Sequence, residues 1–384
     1  MSRGRSPSQN TRLIVWGRAA GRCQYTNCGE RLDQDLVSGE LSKNFADLAH
    51  NIASSPNGAR GHSNQSHELA DDPDNILLLC GKHHREIDDR QKTGTYCVEA
   101  VRAMKRASER RIDKLLSNPA APATHILRMS ATVGDNETAI PLKECIDAVV
   151  PTFTLTDGQA IDIKLRGMEH KDSDSDYYPI EIVNLRRRFE REIRGRFEAG
   201  EMQHLAVFAF APIPILMELG RLVSDLSEAT VYGRHREPSP SWTWPNDAPP
   251  LTFSKSRGHA GPSRVALKLS ITAEVGDNRV SPVFGGDEVS IWEIRSDRLG
   301  SSALRNGADL GRFRRLVGEI LDEIRLQHGS EIDLSIFPAI PIPCAVEFGR
   351  VWQPKAHPAF NVYDETPGHG FVLRHRIEPG KAAP

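Results

Sequence analysis

Apolar residues recur with a helical period over residues 96–116, where Val98, Val101, Met104, Ile112 and Leu115 fall roughly on one side and the opposite side is basic. The pattern predicts an amphipathic helix that closes a first compact domain over residues 11–116. The next seven residues, 117–123, hold Pro119 and Pro122 among small side chains. Prolines there stop helical continuation, so residues 117–125 read as a linker. Residues 1–10 are Ser/Arg-rich and read as a disordered tail, and residues 126–165 carry short β-type runs such as 148–154.

Further on, the pattern repeats. Phe210-Ala211-Pro212-Ile213-Pro214 leads into Glu218-Leu219-Gly220-Arg221, and Ala339-Ile340-Pro341-Ile342-Pro343 leads into Glu347-Phe348-Gly349-Arg350, each shared residue standing 129 places after its counterpart. Both copies follow a continuous apolar run (205–210 and 334–337), and both runs follow a charged helix expected to begin at an Arg-Phe pair, Arg188-Phe189 and Arg312-Phe313. A short, wholly apolar strand between helices asks for a parallel sheet covered on both faces. The second proline suits a first helical turn, where its missing N–H costs nothing. We therefore expect two α/β halves, about 140–285 and 286–384, with two strand-to-helix turns on one edge. Doubly wound sheets bind ligands at that edge, and helix N-termini favour anions there. Arg221 and Arg350 are expected to end their helices favourably against the dipole.

Composition narrows the class. With 384 residues, 39% apolar and 26% charged, the chain can bury sizeable cores in two or three domains. It contains no apolar stretch of membrane-spanning length and no secretory signal near Met1, so no membrane partner and a cytoplasmic location are expected. Six irregularly spaced cysteines argue for metal ligands rather than a disulfide scaffold, with Cys97, Cys145 and Cys344 left as buried residues. The net charge of −2 is uninformative, but residues 1–22 carry five arginines and no acid. The helix at 96–116 adds Arg102, Lys105, Arg106, Arg110, Arg111 and Lys114. Such local excess suits a polyphosphate backbone, or equally a solvated helix face.

Two ligand sets interleave in the first domain. Cys23-x4-Cys28 and Cys80-x2-His83 are two short clips, each able to hold two tetrahedral positions on one Zn2+. Asp47, His50, Asn75 and His84 have the residue types of an open catalytic site for a divalent cation. With Asp47-Leu48-Ala49-His50, Asn75 and the run from Cys80 to Asp88, residues 15–95 resemble the HNH endonuclease family and its ββα-metal motif. The resemblance implies that His50 is the general base on the attacking water. It further implies that Asp47 and His84 help to hold Mg2+ or a similar ion, and that Asn75 braces the loop. Adjacent histidines point about 100° apart on a helix, so His83 and His84 should divide their work; His83 is assigned to zinc, with the exchanged assignment left open. Asp47 could instead only orient a histidine. His62, His67 and Asp88 carry less weight, and Arg60, in a Ser/Gly/Pro-rich loop at 54–61, is a candidate phosphate contact.

Residues 140–384 resemble the SAVED sensors of the cyclic-oligonucleotide anti-phage systems known as CBASS. The residues that carry this are the Pro-x-Pro copies, the Tyr232-Gly233-Arg234-His235-Arg236 run, Trp242-Thr243-Trp244, and Asn361 to Asp364. The implied fold is an α+β, zinc-stapled ββα-metal (HNH) domain followed by an α/β domain (126–384) of two Rossmann-like, CARF-like halves. The implied function is an anti-phage endonuclease that degrades double-stranded DNA with little sequence preference. A cyclic di- or trinucleotide second messenger would activate it, with dimers or tetramers forming on activation. Pro212, Ile213, Tyr232, Arg234, His235, Arg236, Trp242 and Trp244 are the expected ligand contacts, since bases need aromatic or guanidinium faces and phosphates need cations. Two rival expectations are a restriction-type nuclease with a C-terminal reader of DNA or modified bases, and a catalytically silent sensor or scaffold.

Overall fold

The computed structural model describes residues 6–33, 46–116, 120–133, 139–156, 160–165, 172–224, 228–236, 240–245, 249–261, 263–366 and 368–378. The chain forms two compact units, Met1–Ala120 and Ala121–Pro384. Among the described residues, no helix is long and apolar enough to cross a membrane.

The first unit opens with α1 (Gln9–Ala19), which starts inside the stretch expected to be a disordered tail. The reason is local: Ser8 caps the helix by accepting from the Thr11 N–H, and its own N–H donates to Asp71 at 2.6 Å. Strand β1 (Ala46–His50) pairs antiparallel with β2 (Ile76–Cys80), putting Ala46 opposite Cys80 and His50 opposite Ile76. Between them lies the single turn α2 (Gln65–Glu68). Helix α3 (Gly81–Ile87) follows β2 with no loop, with Cys80 in the N-cap position and no capping bond from its side chain. Ile76 to Leu79 are wholly buried because Val15 and Ala19 of α1 and Ile87 of α3 close over them, joined by Val101 of α4 (Val98–Leu116). Only the first half of α4 turns apolar side chains inward; Leu115 and Leu116 are exposed.

The second unit contains two sheets. The first is parallel throughout. Its members are β3 (Ala123–Ala131), β4 (Thr154–Leu155), β5 (Ile161–Leu165), β6 (Leu205–Phe210) and β7 (Ala229–Tyr232). Strand β4 and then β5 line one edge of β3, and β6 and β7 continue on the other. Helices α5 (Leu142–Val149), α6 (Tyr177–Phe189), α7 (Gly195–Glu198) and α8 (Ile213–Ser224) connect these strands. The second sheet has β8 (Phe253–Ser256), β9 (Arg264–Ser270), β10 (Val289–Ser296), β11 (Asp333–Ala339), β12 (Ala359–Thr366) and β13 (Gly370–Ile377). Its order is β13-β12-β11-β9-β10-β8, with the four inner strands parallel and the two edges antiparallel. Helices α9 (Asp277–Val280), α10 (Gly307–His328) and α11 (Ile342–Val351) complete the unit.

Several sequence expectations are corrected here. The linker at 117–125 overlaps β3, because Thr124 to Leu127 are already buried against β6. The halves divide between 233 and 252, not at 285, because β9 pairs with β10 and β11. The run at 148–154 is not one strand: Ala148 and Val149 end α5, which buries Cys145 and Val149 four residues apart on one face, residues 150–153 turn, and Thr154 enters the short β4. Arg188-Phe189 ends α6 and Arg312-Phe313 lies in the second turn of α10, so neither pair begins a helix.

The repeat is realised as a pair of packed helices, α8 and α11. A Cβ on Gly220 would stand 2.0 Å from the Val346 carbonyl oxygen, and one on Gly349 would stand 2.0 Å from that of Met217. Met217 and Val346 are themselves counterparts in the repeat, so the two backbones touch across a local two-fold axis. Beside this contact, Glu218 is fully buried between Arg221 (2.6 Å), Arg186 (2.7 Å) and His375 (2.9 Å). Its counterpart Glu347 pairs with Arg350 at 2.9 Å and Arg314 at 3.4 Å. Arg221 and Arg350 thus hold buried carboxylates rather than simply finishing their helices. Burial alone would raise the Glu218 carboxyl, but hydrogen bonds from His375, Arg221 and Arg186 outweigh it and hold it well below the usual carboxylate range.

Gly220→Ala or Gly349→Ala should each cost about 1–3 kcal/mol in thermal unfolding, through overpacking of the helix pair. Gly318→Ala on α10, where a Cβ meets nothing within 4 Å, should be neutral or stabilising by up to about 1 kcal/mol. Glu218→Gln should cost roughly 3 kcal/mol at neutral pH by removing the buried carboxylate that Arg221, Arg186 and His375 converge on. Because the folded carboxyl titrates below the unfolded one, this stabilisation is present above about pH 4–5 and lost on acidification. In urea unfolding, the gap between parent and Glu218→Gln should therefore be flat near neutral pH and shrink below about pH 4.

Candidate functional site

The first unit brings Cys23, Cys28, Cys80 and His83 together, with all four ligand atoms within 4.8 Å of one another. The chain leaves α1 through Ala20 (φ 49°) and Gly21 (φ 67°) and folds back. The Cys23 N–H then donates to the Glu30 carbonyl at 2.9 Å, and the Gly29 N–H to that of Cys23 at 3.2 Å, which aligns the first two sulfurs. Cys80 at the head of α3 and His83 one turn later supply the rest. His83 Nδ1 lies 3.1 Å from Cys80 Sγ and 3.6 Å from Cys23 Sγ. Ligands at 2.0–2.3 Å from one tetrahedral zinc stand roughly 3.4–3.8 Å apart, so the donor set and its size fit Zn2+. Burial pushes the Cys23 thiol up to about 12, so a cation is needed to draw out its thiolate, toward which the Cys80 N–H already points at 3.3 Å. Tyr25 stacks on the His83 ring at 4.0 Å, fixing its plane, and bonds Tyr96 at 2.6 Å.

His84 faces away from this cluster. Its Nδ1 lies 3.2 Å from Asp47 and its Nε2 3.4 Å from Asp88. The hydrogen bond with Asp88 first, and that with Asp47 next in weight, raise its imidazole above the ordinary value. Asp47 is thus brought to His84, where the two could share a divalent cation on the Nδ1 side. Asp88 was underweighted in the sequence; its place four residues after His84, one helical turn on, was the available signal.

His50 ends β1. Its Nε2 lies 2.9 Å from the Ala70 carbonyl, which can only accept, so this nitrogen carries the proton and Nδ1 keeps the lone pair. Buried Asn75 holds the surrounding backbone. Its Nδ2 donates to the carbonyls of Ile52 (2.9 Å) and Leu69 (3.1 Å), and its Oδ1 accepts from the Ile52 N–H at 2.9 Å. It therefore fixes both the segment after His50 and the residue before Ala70.

The loop at 54–61 is not loose. A Cβ on Gly61 would stand 2.3 Å from the Pro56 carbonyl oxygen, and Arg60 adopts φ 56°. This turns Arg60 inward, its side chain only 3% exposed, and its donors go to protein acceptors rather than to a phosphate. His62 Nδ1 accepts from the N–H groups of Asn64 and Gln65, and His67 lies exposed on α2; neither joins the cluster.

In the second unit, a cavity of about 460 Å3 opens at the C-terminal ends of strands from both sheets. Of the expected ligand contacts, Arg234, His235, Arg236 and Trp244 line it. Pro212, Ile213, Tyr232 and Trp242 do not. Tyr232 stacks on Phe208 at 4.6 Å and Trp242 meets Phe208 edge-on at 5.3 Å, both inside the core, and the Pro212–Pro214 turn is replaced in the lining by its second copy, Pro341 to Pro343. Arg305, Ser301, Ser302 and Thr272 were missed; they follow strand ends, where position rather than motif marks them. Burial, and secondarily the charge of Arg305, lower the His235 imidazole, which stays neutral at pH 7 and meets Trp244 edge-on at 4.8 Å.

Residues 185–374 match the family described as the SMODS-associated and fused to various effectors sensor domain, SAVED, and this region is a SAVED sensor domain. The chain is also similar in structure to the Acinetobacter baumannii Cap4 SAVED/CARF-domain containing receptor solved with the cyclic trinucleotide 3′3′3′-cAAA (12% identity, 83% of this chain and 67% of that one, TM-score 0.44). The same receptor with 2′3′3′-cAAA is 13% identical over the same shares, with a TM-score of 0.41. Without a named ligand it is 11% identical over 83% and 66%, with a TM-score of 0.39. No curated protein matches the chain. The assignment rests on the family match and on the duplicated topology.

Elemental analysis of protein purified without chelators should find one zinc per chain. Cys80→Ser should lose that zinc and lower the unfolding temperature of the first unit, leaving the second unit's transition in place.

Proposed function

We propose that the chain is a metal-dependent endonuclease whose activity on double-stranded DNA is switched on by a cyclic oligonucleotide bound in the SAVED cavity. The observation that carries the nuclease half is the hydrogen bond of His50: with Nε2–H committed to the Ala70 carbonyl, Nδ1 is the ring nitrogen left to accept a proton. Nδ1 would take the proton of an attacking water, and Asn75 holds the backbone on either side of His50's hydrogen bond, so the base needs no rearrangement to act. Asp47 and His84 would hold Mg2+ or a similar ion. When bound, it neutralises charge on the phosphate and leaving oxygen. The nearby Cys3His cluster would keep zinc in a purely structural role, since all four positions are filled by protein.

The sensor half is supported by the family of residues 185–374 and by the cavity's chemistry. Arg234, Arg236 and Arg305 offer charge to phosphates, while Trp244 and Pro341 to Pro343 offer apolar faces to bases. The Acinetobacter baumannii receptor's cyclic trinucleotides indicate the ligand class to try first. For the ligand to act as a switch, it must bind one conformation or assembly more tightly than the other; a dimer or tetramer formed on binding would satisfy this.

Purified protein incubated with plasmid DNA and Mg2+ should cut only when one member of a panel of cyclic di- and trinucleotides is added. His50→Ala should then slow cutting by about 100-fold or more while the nucleotide still raises the unfolding temperature of the second unit. Equal cutting with and without every nucleotide would overturn the switch, and undiminished cutting by His50→Ala would overturn the assignment of the base.

A further inference from the structure

We infer that Arg60 is a positioning residue that clamps the base-bearing strand to the helix carrying His84; this rests on the nuclease reading above. Its Nε donates to the Asn51 carbonyl at 2.7 Å, and one terminal nitrogen to the His50 carbonyl at 3.2 Å. These are the two carbonyls at the end of β1, on and beside the proposed base. The same guanidinium donates to the Ile87 carbonyl and to Asp88 Oδ1 at 2.9 Å, both at the C-terminal end of α3. Asp88's other oxygen, Oδ2, faces His84 Nε2 at 3.4 Å. One buried side chain therefore ties His50, through its own carbonyl, to His84, through Asp88.

The chemistry of the acceptors explains the residue type. Three backbone carbonyls and a carboxylate are four acceptors for one side chain, which a guanidinium with its five N–H groups can serve and an ammonium with three cannot. Ile87 contributes one of the carbonyls that a helix end leaves unpaired, and a cation is favoured at that end of the dipole. The loop is shaped to deliver it: Arg60 stands in the left-handed region at φ 56°, rare for a residue with a side chain, beside Gly61, whose position has no room for a Cβ. A side chain 3% exposed, with four of its five N–H groups given to protein acceptors, is turned away from a phosphate.

The test uses the full chain with whichever nucleotide activates it. Arg60→Ala should lower kcat for DNA cleavage by about 100-fold, the loss expected when a reacting group is displaced by about 1 Å, and leave KM within about threefold. Zinc content should stay at the parent level, and added guanidinium, far below denaturing concentration, should restore at least about tenfold of the rate by refilling the space, while equal sodium chloride should not. A raised KM at unchanged kcat would mean a phosphate contact, and parent-like cleavage would mean no role; either overturns the proposal. So does a zinc-loaded Arg60→Ala that guanidinium fails to rescue. If Arg60→Ala loses zinc, Arg60→Lys decides: a kcat at least about tenfold down with zinc retained supports the clamp, and parent-like kcat overturns it. A parent protein that cuts no DNA with any nucleotide overturns the nuclease reading along with the role of Arg60 in it.

Discussion

The larger unit depends on one close approach of backbone to backbone. Helices α8 and α11 touch where Gly220 faces Val346 and Gly349 faces Met217, with room for no side chain at either position. Each helix begins directly after a central parallel strand, β6 or β11, so joining the helices also sets the two strand ends side by side. The cavity lined by Phe210 from one sheet and Ile340 to Pro343 from the other is a consequence of that joining. The buried carboxylates Glu218 and Glu347 stand one helical turn from the arginines that neutralise them and two residues from the glycines. Such pairs contribute little net stability against an apolar alternative. Their effect here is to bring in chain from elsewhere: Arg186 from α6 and His375 from β13 both reach Glu218.

The duplication was legible because it is written in the residues the helix contact requires. Proline at the first turn, a buried glutamate, a glycine and an arginine are each demanded by local physics in both copies, so they recur at a fixed interval. The boundary between halves was not legible, because β8 and β9 carry no such demand; only their pairing with β10 and β11 assigns them to the second sheet. The aromatic residues near the cavity show the same limit. Tyr232, Trp242 and Trp244 look equivalent in sequence, yet Phe208 claims the first two for the core and leaves the third at the lining.

In the smaller unit, the ligand cluster was legible from spacing, since Cys80 and His83 bracket one helical turn. The engagement of Arg60 was not. Its loop is rich in Ser, Gly and Pro, a composition that usually marks mobility, and the inward course of the chain depends on a positive φ that no pattern of polarity encodes. Asp88 was underrated for a related reason: a carboxylate at a helix end is commonly a solvated cap, and its meeting with both His84 and Arg60 appears only when the loop has folded back.

These observations converge on α3, which has seven residues. A helix that short is not stable alone in water, so its place must be set from outside. At its N-terminus, Cys80 is both the N-cap residue and a member of the zinc-fitting cluster, with His83 one turn on. At its C-terminus, the Ile87 carbonyl and the Asp88 carboxylate end on Arg60. Between these two anchors lies His84, turned about 100° from His83 and so toward Asp47 and Asp88 instead of the sulfurs. The adjacent histidines differ in surroundings because the helix rotates one of them away from a cluster that already holds the other. Where His84 stands relative to His50 is then decided by residues that are neither, which is why the zinc-fitting cluster and a buried arginine bear on the same pair of imidazoles.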